Sequence, residues 1–457
     1  MNKKTMSRRT FINRTSMSIA GTAMVTGMSF SSHATIFNKA NKPAILNGTP
    51  VRTKSWPGWP VWNPETDEEL VLKVLRSGVW SRRKVVDEFE AKWAQTVGAK
   101  RCLATTNGTH AIITALKVLG IGAGDEVLTT PYTFIATIDS ILLCNAMPVF
   151  VDVDPETFQI DPAKMEEKIT SKTRAILPVH ILGLPADMGR IMAIAKKHNL
   201  IVLEDACQAW LAEIKGKIVG TIGHAGCFSF QNSKHLPIGE GGAIVSDDEE
   251  LMDRAHSFHD FGRPYGSVVG DVSGGYLILG TKCRMTEYQA AIGLAQLKRL
   301  DKQTTRRNEN AAYLRSQIKD IPGIIPYRLY DDVTRAAFHL FPFQYKKEYF
   351  QDLPRDKFLE ALRGEGIPCS GGYTPLNTMP YLKDALSTRA FQAIYPKEKL
   401  DFDKYLEENQ CPANDLLCQE AVWFSQSLLL AEKRDMDDIV AAIEKIQKHA
   451  GEIKNQA

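Results

Sequence analysis

A lysine that follows a predicted strand is the side chain of this sequence best placed to act as a nucleophile. Lys234 lies five residues after Ser229 in a polar loop, and the glycines of Gly239-Glu240-Gly241-Gly242 let the chain turn tightly into the next strand. A lysine amine that is desolvated and near a cationic ring is available to attack a carbonyl group. The alternative interpretation is a solvated loop lysine, the usual situation of this residue type.

A carboxylate follows another predicted strand. Asp205 comes after the apolar run 200–203, within the sequence Glu204-Asp205-Ala206-Cys207-Gln208. An acid at the end of a buried strand costs free energy unless it is paired, and a protonated pyridine nitrogen would be such a partner. That ion pair would keep the ring protonated and therefore an electron sink. An N-cap for the following helix is the alternative interpretation.

Two more strand ends carry groups that suit a flat, phosphorylated ligand. In Thr106-Asn107-Gly108-Thr109, the glycine allows close approach and the N–H groups of a helix start suit a phosphate, although the same residues also form turns and N-caps. Phe134 follows the strand that ends near Thr130 and could lie flat on a planar ring, or it could be a core phenylalanine. The joint order of phosphate turn, aromatic, acid, serine and lysine is far more specific than any one signal.

A regular alternation of strands and helices would position these side chains. The predicted strands are 101–105, 126–130, 148–151, 174–179, 200–204, 225–230 and 242–246. Helical patterns occur at 65–77, 85–97, 109–119, 133–144, 162–168, 187–198 and from 287 to about 315. The alternation predicts an open, mainly parallel α/β sheet, in which ligands bind beyond the carboxyl ends of the strands. The sequence does not give the order of the strands.

These motifs match a known family when they are read as a set. The matching stretches are Asn107-Gly108-Thr109-x-Ala111, Gly124-Asp125-Glu126-Val127, Thr133-Phe134-x-Ala136-Thr137, Pro178-Val179-His180-x-x-Gly183, Glu204-Asp205-Ala206-x-Gln208, Phe228-Ser229-Phe230-x-x-x-Lys234 and Gly239-Glu240-Gly241-Gly242. Over roughly residues 44 to 450 the chain resembles the DegT/DnrJ/StrS family of aminotransferases, which depend on pyridoxal 5'-phosphate (PLP) and act mostly on keto sugars and cyclitols. The resemblance implies fold type I, with a large, mainly parallel α/β sheet domain and a smaller C-terminal α+β domain.

The resemblance also implies the role of each site residue. Lys234 would be the lysine that forms the Schiff base with PLP and then moves a proton between substrate and cofactor. The other implied contacts to the cofactor are Asp205 at the pyridine nitrogen, Gln208 at the ring hydroxyl oxygen, Phe134 on the ring face, and Gly108, Thr109 and Ser229 at the phosphate. A homodimer is implied, in which the neighbouring subunit completes each site.

The chain departs from the family pattern at two places. Lys282 stands in Gly280-Thr281-Lys282-Cys283-Arg284-Met285, where the family usually has an asparagine that reaches the cofactor phosphate of the partner subunit. A lysine could bind that phosphate with a full charge, so Lys282 is a further candidate for cofactor binding. The stretch Tyr373-Thr374-Pro375-Leu376-Asn377 has asparagine where the family often has histidine, and it is similar to members that aminate inosose-type cyclitols.

The expected activity is transfer of an amino group from glutamate or glutamine to a keto sugar or to a cyclitol ketone such as an inosose. One alternative is a PLP-dependent sugar dehydratase of the same family. Such dehydratases have histidine in place of the lysine, and Lys234 argues against this class. Another alternative is a non-catalytic binding or sensory protein that kept the fold. An NAD-dependent enzyme is disfavoured because no Gly-x-Gly-x-x-Gly follows the first strand.

The first 34 residues have the layout of an export signal. The basic stretch Ser7-Arg8-Arg9-Thr10-Phe11-Ile12 precedes a weakly apolar run, 17–30, and the small residues of Ser32-His33-Ala34. This order predicts a twin-arginine signal and a periplasmic or extracytoplasmic location. A disordered basic leader on a cytoplasmic protein is the alternative. The apolar run is too short and too polar to span a membrane.

Length and composition set the remaining expectations. We divide the 457 residues into the signal 1–34, an N-terminal arm 35–80, a large PLP-binding domain 81–308 and a small domain 309–457. A net charge of +3 gives no reason to expect nucleic acid or a membrane surface as a partner. The eight cysteines form no zinc-ligand pattern, so no metal site is expected. Cys411 and Cys418 are close enough in sequence that a disulfide is possible outside the cytosol.

Overall fold

The computed structural model describes residues 41–267 and 275–456. The predicted export signal, 1–34, lies outside the described residues. The strands are β1 (Arg101–Thr105), β2 (Glu126–Thr129), β3 (Met147–Phe150), β4 (Thr173–Leu177), β5 (Ile201–Asp205), β6 (Glu213–Ile214), β7 (Lys217–Ile218), β8 (Ala225–Ser229), β9 (Gly242–Ser246), β10 (Ile324–Pro326), β11 (Val333–Arg335), β12 (Leu340–Tyr345), β13 (Ser370–Gly371) and β14 (Ala421–Ser425).

The helices of the described chain are α1 (Pro64–Ser77), α2 (Lys84–Val97), α3 (Gly108–Val118), α4 (Ala136–Leu143), α5 (Met188–His198), α6 (Glu249–His259), α7 (Glu287–Ile318), α8 (Arg355–Gly364), α9 (Pro380–Leu386), α10 (Arg389–Ile394), α11 (Lys397–Leu400), α12 (Phe402–Glu408), α13 (Pro412–Glu420), α14 (Asp435–Lys448) and α15 (Ala450–Lys454). The mixture is that of an α/β protein.

A seven-stranded sheet forms the centre of the larger unit. Its strand order is β1-β9-β8-β5-β4-β2-β3. The pairs β8–β5, β5–β4, β4–β2 and β2–β3 are parallel, whereas β9 runs antiparallel to both of its neighbours. The predicted α/β class and mainly parallel sheet are therefore confirmed. The parallel strands end at one edge of the sheet, which is where the polar residues that follow them must collect.

Helices cover both faces of this sheet. Successive residues of a strand point to opposite faces. On β8, Cys227 packs into a cluster with helices α3 and α6, whereas Phe228 packs into a cluster with Trp93 of α2 and Leu294 of α7. Strands covered on both faces need apolar residues at consecutive positions, which explains the continuous apolar runs in the sequence.

The segment 162–168 does not form the predicted helix. It contains two separate 3₁₀ turns, Pro162–Lys164 and Glu166–Lys168, joined at the buried residue Met165. The backbone hydrogen bonds span three residues, for example from the N–H of Lys168 to the carbonyl of Met165. A seven-residue helix with only two buried residues, Pro162 and Met165, gains too little from packing to offset the cost of helix nucleation. The prediction at this segment is wrong.

Helix α7 links the two units. It has 32 residues and begins where the side chain of Gln289 accepts a hydrogen bond from the backbone N–H of Thr286. Leu294 packs with the large sheet, whereas Leu314 packs in the core of the C-terminal unit. The predicted division at 308/309 therefore falls inside a continuous helix that contributes to both cores.

The C-terminal unit is built on an antiparallel sheet with the order β10-β12-β14-β13. Its core includes Phe341, Phe424 and Ile439. The described part of the N-terminal arm contacts this unit, where Arg52 forms an ion pair with Asp435 at 2.9 Å. Further along, the arm reaches α7, because the carbonyl of residue 61 accepts hydrogen bonds from two side chains of that helix.

All eight cysteines are free thiols, so the possible disulfide between Cys411 and Cys418 does not form in this structure. Cys411 is the N-cap of α13 and Cys418 lies near the other end of that helix. Seven residues of helix separate their backbones by about 10 Å along the axis, beyond the reach of a disulfide. In the described part of the chain, no helix combines the length and apolarity needed to cross a bilayer.

Candidate functional site

A cavity of about 550 Å³ lies at the carboxyl edge of the large sheet. Seven of the eight predicted site residues line it, although they come from four separate segments of the chain. These residues are Gly108, Thr109, Phe134, Asp205, Gln208, Ser229 and Lys234. The parallel strand order explains this convergence, because each residue lies at or just beyond a strand end on the same edge.

Asp205 is the last residue of β5 and is held by two hydrogen bonds. The hydroxyl of Thr137 donates to Oδ2 at 2.8 Å, and the backbone N–H of Cys207 donates to Oδ1 at 3.1 Å. The residue is 4% exposed and still lines the cavity. No helix follows β5 directly, so the N-cap alternative does not apply. The carboxylate is thus fixed in direction and available to a cation in the cavity.

The neighbouring acid, Glu204, has a different environment. Its carboxylate accepts backbone hydrogen bonds from Gly220, Ile222 and Gly223 at 2.6–2.7 Å and lies 2.9 Å from Nε2 of His180. Because consecutive strand residues point to opposite faces, Glu204 faces away from the cavity. Its hydrogen bonds satisfy a fully buried acid and hold the segment that follows β5.

The turn before α3 forms a cradle for an anion. The side chain of Asn107 caps the helix by accepting from the N–H of His110 at 2.8 Å. Within the described chain, the N–H groups of Gly108 and Thr109 have no acceptor. A Cβ at position 108 would lie 2.9 Å from both Sγ of Cys207 and Cβ of Ser229. Only glycine fits here, and two free N–H groups at a helix start beside a serine suit a phosphate.

Lys234 lies in a tight loop between β8 and β9. Its backbone N–H donates to the carbonyl of Gln231 at 2.8 Å, and the side chain of Gln231 accepts from Ser233. The amine Nζ lies 3.4 Å from Nε2 of His339. Burial lowers the pKa of Lys234. The interpretation as a solvated surface lysine is therefore wrong, and the structure places a partly buried amine on the cavity wall.

Gln208 and Phe134 form further parts of the wall. Oε1 of Gln208 accepts from the N–H of Leu182 at 2.8 Å, and Nε2 donates to the hydroxyl of Tyr373 at 3.0 Å. Burial raises the pKa of Tyr373 to about 12, so this hydroxyl stays protonated at physiological pH. The ring of Phe134 is 58% exposed at the cavity, which excludes the interpretation as a core residue.

Three wall residues outside the predicted set make side-chain contacts with predicted site residues: Thr137, Tyr373 and His339. Thr137 stood in a matched motif and Tyr373 in the stretch that departs from the family pattern, but their contacts with Asp205 and Gln208 could not be read from the sequence. His339 stood in none of the motifs, so nothing in the sequence pointed to it. Asn377 does not line the cavity, because it is buried and donates to the carbonyl of Asn409 at 3.0 Å.

Lys282 is the predicted site residue that the cavity does not include. Its side chain is exposed, and its backbone pairs with that of Asp260 in an isolated antiparallel bridge. A phosphate held by the cradle of the same chain is therefore not its partner in this arrangement. The sequence-based role of Lys282 requires a second subunit.

Comparison with known proteins identifies the family. Residues 63–395 match the model of the DegT/DnrJ/EryC1/StrS aminotransferase family. The chain belongs to this family. The predicted family and fold type I are therefore confirmed, as are the transaminase class and the PLP cofactor.

Individual members of the family resemble the chain over most of its length. An L-glutamine:2-deoxy-scyllo-inosose aminotransferase of Streptoalloteichus tenebrarius is 33% identical over 426 residues, which cover 90% of this chain and 99% of the relative. A spore coat polysaccharide biosynthesis protein of Bacillus subtilis is 36% identical, and the match covers 83% of this chain and 94% of that protein. The crystal structure of 3-amino-5-hydroxybenzoic acid synthase superposes with a TM-score of 0.75 at 31% identity, and the superposition covers 88% of this chain and 100% of the synthase chain.

The residues of the cavity fit PLP. The cradle at Gly108 leaves room and free donors for a phosphate, Asp205 supplies a fixed carboxylate for a ring nitrogen, and Lys234 supplies a partly buried amine. In the described chain, no cluster of three His, Cys, Asp or Glu side chains has the arrangement of a metal site.

Proposed function

We propose that this aminotransferase moves an amino group from glutamine or glutamate to the ketone of a cyclitol, such as an inosose, or of a free sugar. The observation that carries this proposal is the meeting of Lys234, Asp205 and the cradle at Gly108 in one cavity. The names of the relatives support the choice of substrates, because several act with L-glutamine on an inosose.

The chain's own residues would divide the work as follows. PLP, when bound, supplies stabilisation of negative charge at the substrate carbon. The N–H groups at 108 and 109 and the hydroxyl of Ser229 would hold its phosphate, and Asp205 would keep its ring nitrogen protonated. Phe134 would cover the ring face, and Gln208 would bond the ring hydroxyl oxygen. Lys234 would carry a proton to and from the substrate carbon, and the lowering of its pKa by burial favours that role.

The charges of the cavity favour an uncharged acceptor. Of the described lining residues, Lys234 is the one lysine or arginine, whereas Asp205 and Glu240 are acidic. A bound cofactor would add the negative charge of its phosphate. A nucleotide-linked sugar, which carries two more phosphates, would therefore meet net repulsion, because the one cation that a partner would add in the proposed dimer, the partner's Lys282, would face the cofactor phosphate. A free cyclitol or sugar has no such cost.

The proposed homodimer would place Lys282 at the site of the partner subunit. Lys282 is exposed beside a group of exposed apolar side chains, and Leu279 is 91% exposed. The other members of this group are Phe261, Tyr276 and Leu277. Contiguous exposed apolar surface usually marks a contact with another chain. Light scattering that gives the molar mass of a single chain at micromolar concentration would refute the dimer. If Lys282 reaches the phosphate, Lys282→Ala should lower the affinity for PLP about tenfold.

The proposed location is the periplasm or another extracytoplasmic space, by way of the twin-arginine signal. The support is the sequence around Arg8 and Arg9. Replacing both arginines with lysine should leave the protein in the cytoplasm. Unchanged delivery of that variant, measured by cell fractionation, would contradict the proposal.

The activity is tested by half-reactions followed by absorbance. When L-glutamine is added to the purified protein with PLP, the absorbance band of the PLP form should fall, because the cofactor takes up the amino group. The band should return when an inosose is added. Lys234→Ala is the control and should show neither change. A wild-type protein that takes up no PLP would refute the aminotransferase assignment of this site, whereas recovery with nucleotide sugars and not with cyclitols would refute the acceptor.

A further inference from the structure

We propose that His339 is a positioning residue for Lys234, which holds the lysine amine on the cavity side through a hydrogen bond at Nε2. This inference rests on the proposed role of Lys234 and adds a residue from the C-terminal unit to the machinery of the large domain. Nζ and Nε2 are 3.4 Å apart, and both side chains line the cavity. The distance is longer than that of a tight hydrogen bond, so the amine is directed and remains free to react.

The ring of His339 is held in one orientation by its surroundings. It is 8% exposed and packs edge-on against His235, with ring centroids 5.9 Å apart and an interplanar angle of 87°. The ring centroid of Trp210 lies 6.1 Å from that of His339. Nζ of Lys234 lies 6.0 Å from the same tryptophan centroid. The histidine, the tryptophan and the lysine therefore form one packed group, in which the lysine has little freedom to turn away from the cavity.

The backbone of His339 is fixed as firmly as its ring. The carbonyl accepts a hydrogen bond from the N–H of Gln426, whose side-chain oxygen accepts from the buried Arg307 at 2.9 Å. On the other side, a Cβ at Gly183 would lie 2.6 Å from the backbone nitrogen of His339. The strand that begins at Leu340 thus delivers the imidazole to the loop of Lys234 at a set position.

The protonation state of His339 suits this role. Burial, together with the cations Lys234 and Arg307, holds the pKa of His339 well below its usual range, so the ring is neutral at physiological pH. Burial also lowers the pKa of Lys234. A neutral imidazole accepts a hydrogen bond from the amine without adding a charge that would repel it. Correct orientation of a reacting group accelerates its reaction, because a small misplacement raises the activation barrier.

The test compares His339→Gln with His339→Asn. The amide of glutamine reaches the position of Nε2, whereas that of asparagine stops one bond short, and both variants place a polar amide in the same pocket. The measured quantity is the rate at which the cofactor-free protein captures PLP, followed by absorbance. We expect His339→Gln to stay within twofold of the wild type and His339→Asn to be about three- to tenfold slower, as for one lost hydrogen bond. With the loaded enzyme, kcat should fall by a similar factor in the asparagine variant while KM for the donor stays constant.

The outcomes separate this inference from the proposed function. Equal capture rates in the two variants, fast or slow, would overturn the positioning role, because reach would then not matter. A wild-type protein that captures no PLP would overturn the proposed site itself and this inference with it. His235→Phe is the packing control, since His235 touches the same rings but makes no hydrogen bond to Lys234. A loss in that variant as large as in His339→Asn would also overturn the role.

Discussion

Substitution of Gly108 by alanine should weaken cofactor binding through a steric effect of one methyl group. The new Cβ would lie 2.9 Å from Cβ of Ser229 and from Sγ of Cys207, closer than such atoms approach in folded proteins. The sulfur can rotate, but Cβ of Ser229 is fixed by the backbone of β8. The start of α3 must therefore move away from Ser229 by several tenths of an ångström.

The magnitude follows from the contacts that this shift would loosen. Overpacking of a tight site costs about 1–3 kcal/mol. Each hydrogen bond from the backbone to a phosphate is worth about 1.5–3 kcal/mol, because the acceptor is charged. Partial loss of the bonds from the N–H groups of 108 and 109 should raise the dissociation constant of PLP by about tenfold to a hundredfold. The cofactor-free protein should show a modest fall in Tm.

The assay is a titration of the cofactor-free protein with PLP, followed by absorbance, together with thermal unfolding with and without cofactor. Gly189→Ala is the matched control, because a Cβ there meets only a side-chain oxygen of Asp187 at an ordinary 3.6 Å. That variant lies in α5 and should bind PLP like the wild type, with unchanged or slightly higher stability. A dissociation constant for Gly108→Ala within twofold of both proteins would refute the reasoning from the cradle.

Three further predictions concern residues around the same cavity. Thr137→Val removes a hydrogen bond to the carboxylate of Asp205 and should lower kcat about tenfold, measured by steady-state kinetics, with the secondary structure unchanged; full activity would mean that the carboxylate needs no such support. Burial lowers the pKa of Lys234 in the folded chain, so the unfolded chain binds more protons than the folded chain between the two pKa values. Lys234→Met should therefore raise the Tm of the cofactor-free protein at neutral pH, and this gain should shrink as the pH rises towards 10.5. A gain in Tm that does not change with pH would contradict the pKa argument. Trp59→Phe removes the hydrogen bond from the indole to the carbonyl of Asn232 and should increase proteolysis of the Lys234 loop about twofold to tenfold, and equal cleavage rates would show that the arm does not support the loop.

Sequence patterns predicted the strands of the large sheet well because these strands are covered on both faces. The runs 225–228 and 242–245 contain no polar side chain, as burial on both faces requires, and the polar residues at the ends of such strands stand out. The pattern failed at 162–168, where the buried residues Pro162 and Met165 have helical spacing but support only 3₁₀ turns. It also missed the short strands β6, β7 and β13, since two residues give no period.

The sequence by itself determined the family, the mainly parallel α/β class and the order of the residues at the strand ends, because these depend on local composition and on motifs within a few residues. The tertiary structure alone decided which side chains support them. Thr137 meets Asp205 across 68 residues, His339 meets Lys234 across 105, and Tyr373 meets Gln208 across 165. Such contacts depend on strand order and on how α7 carries the C-terminal unit back to the cavity, and neither leaves a periodic signal along the chain.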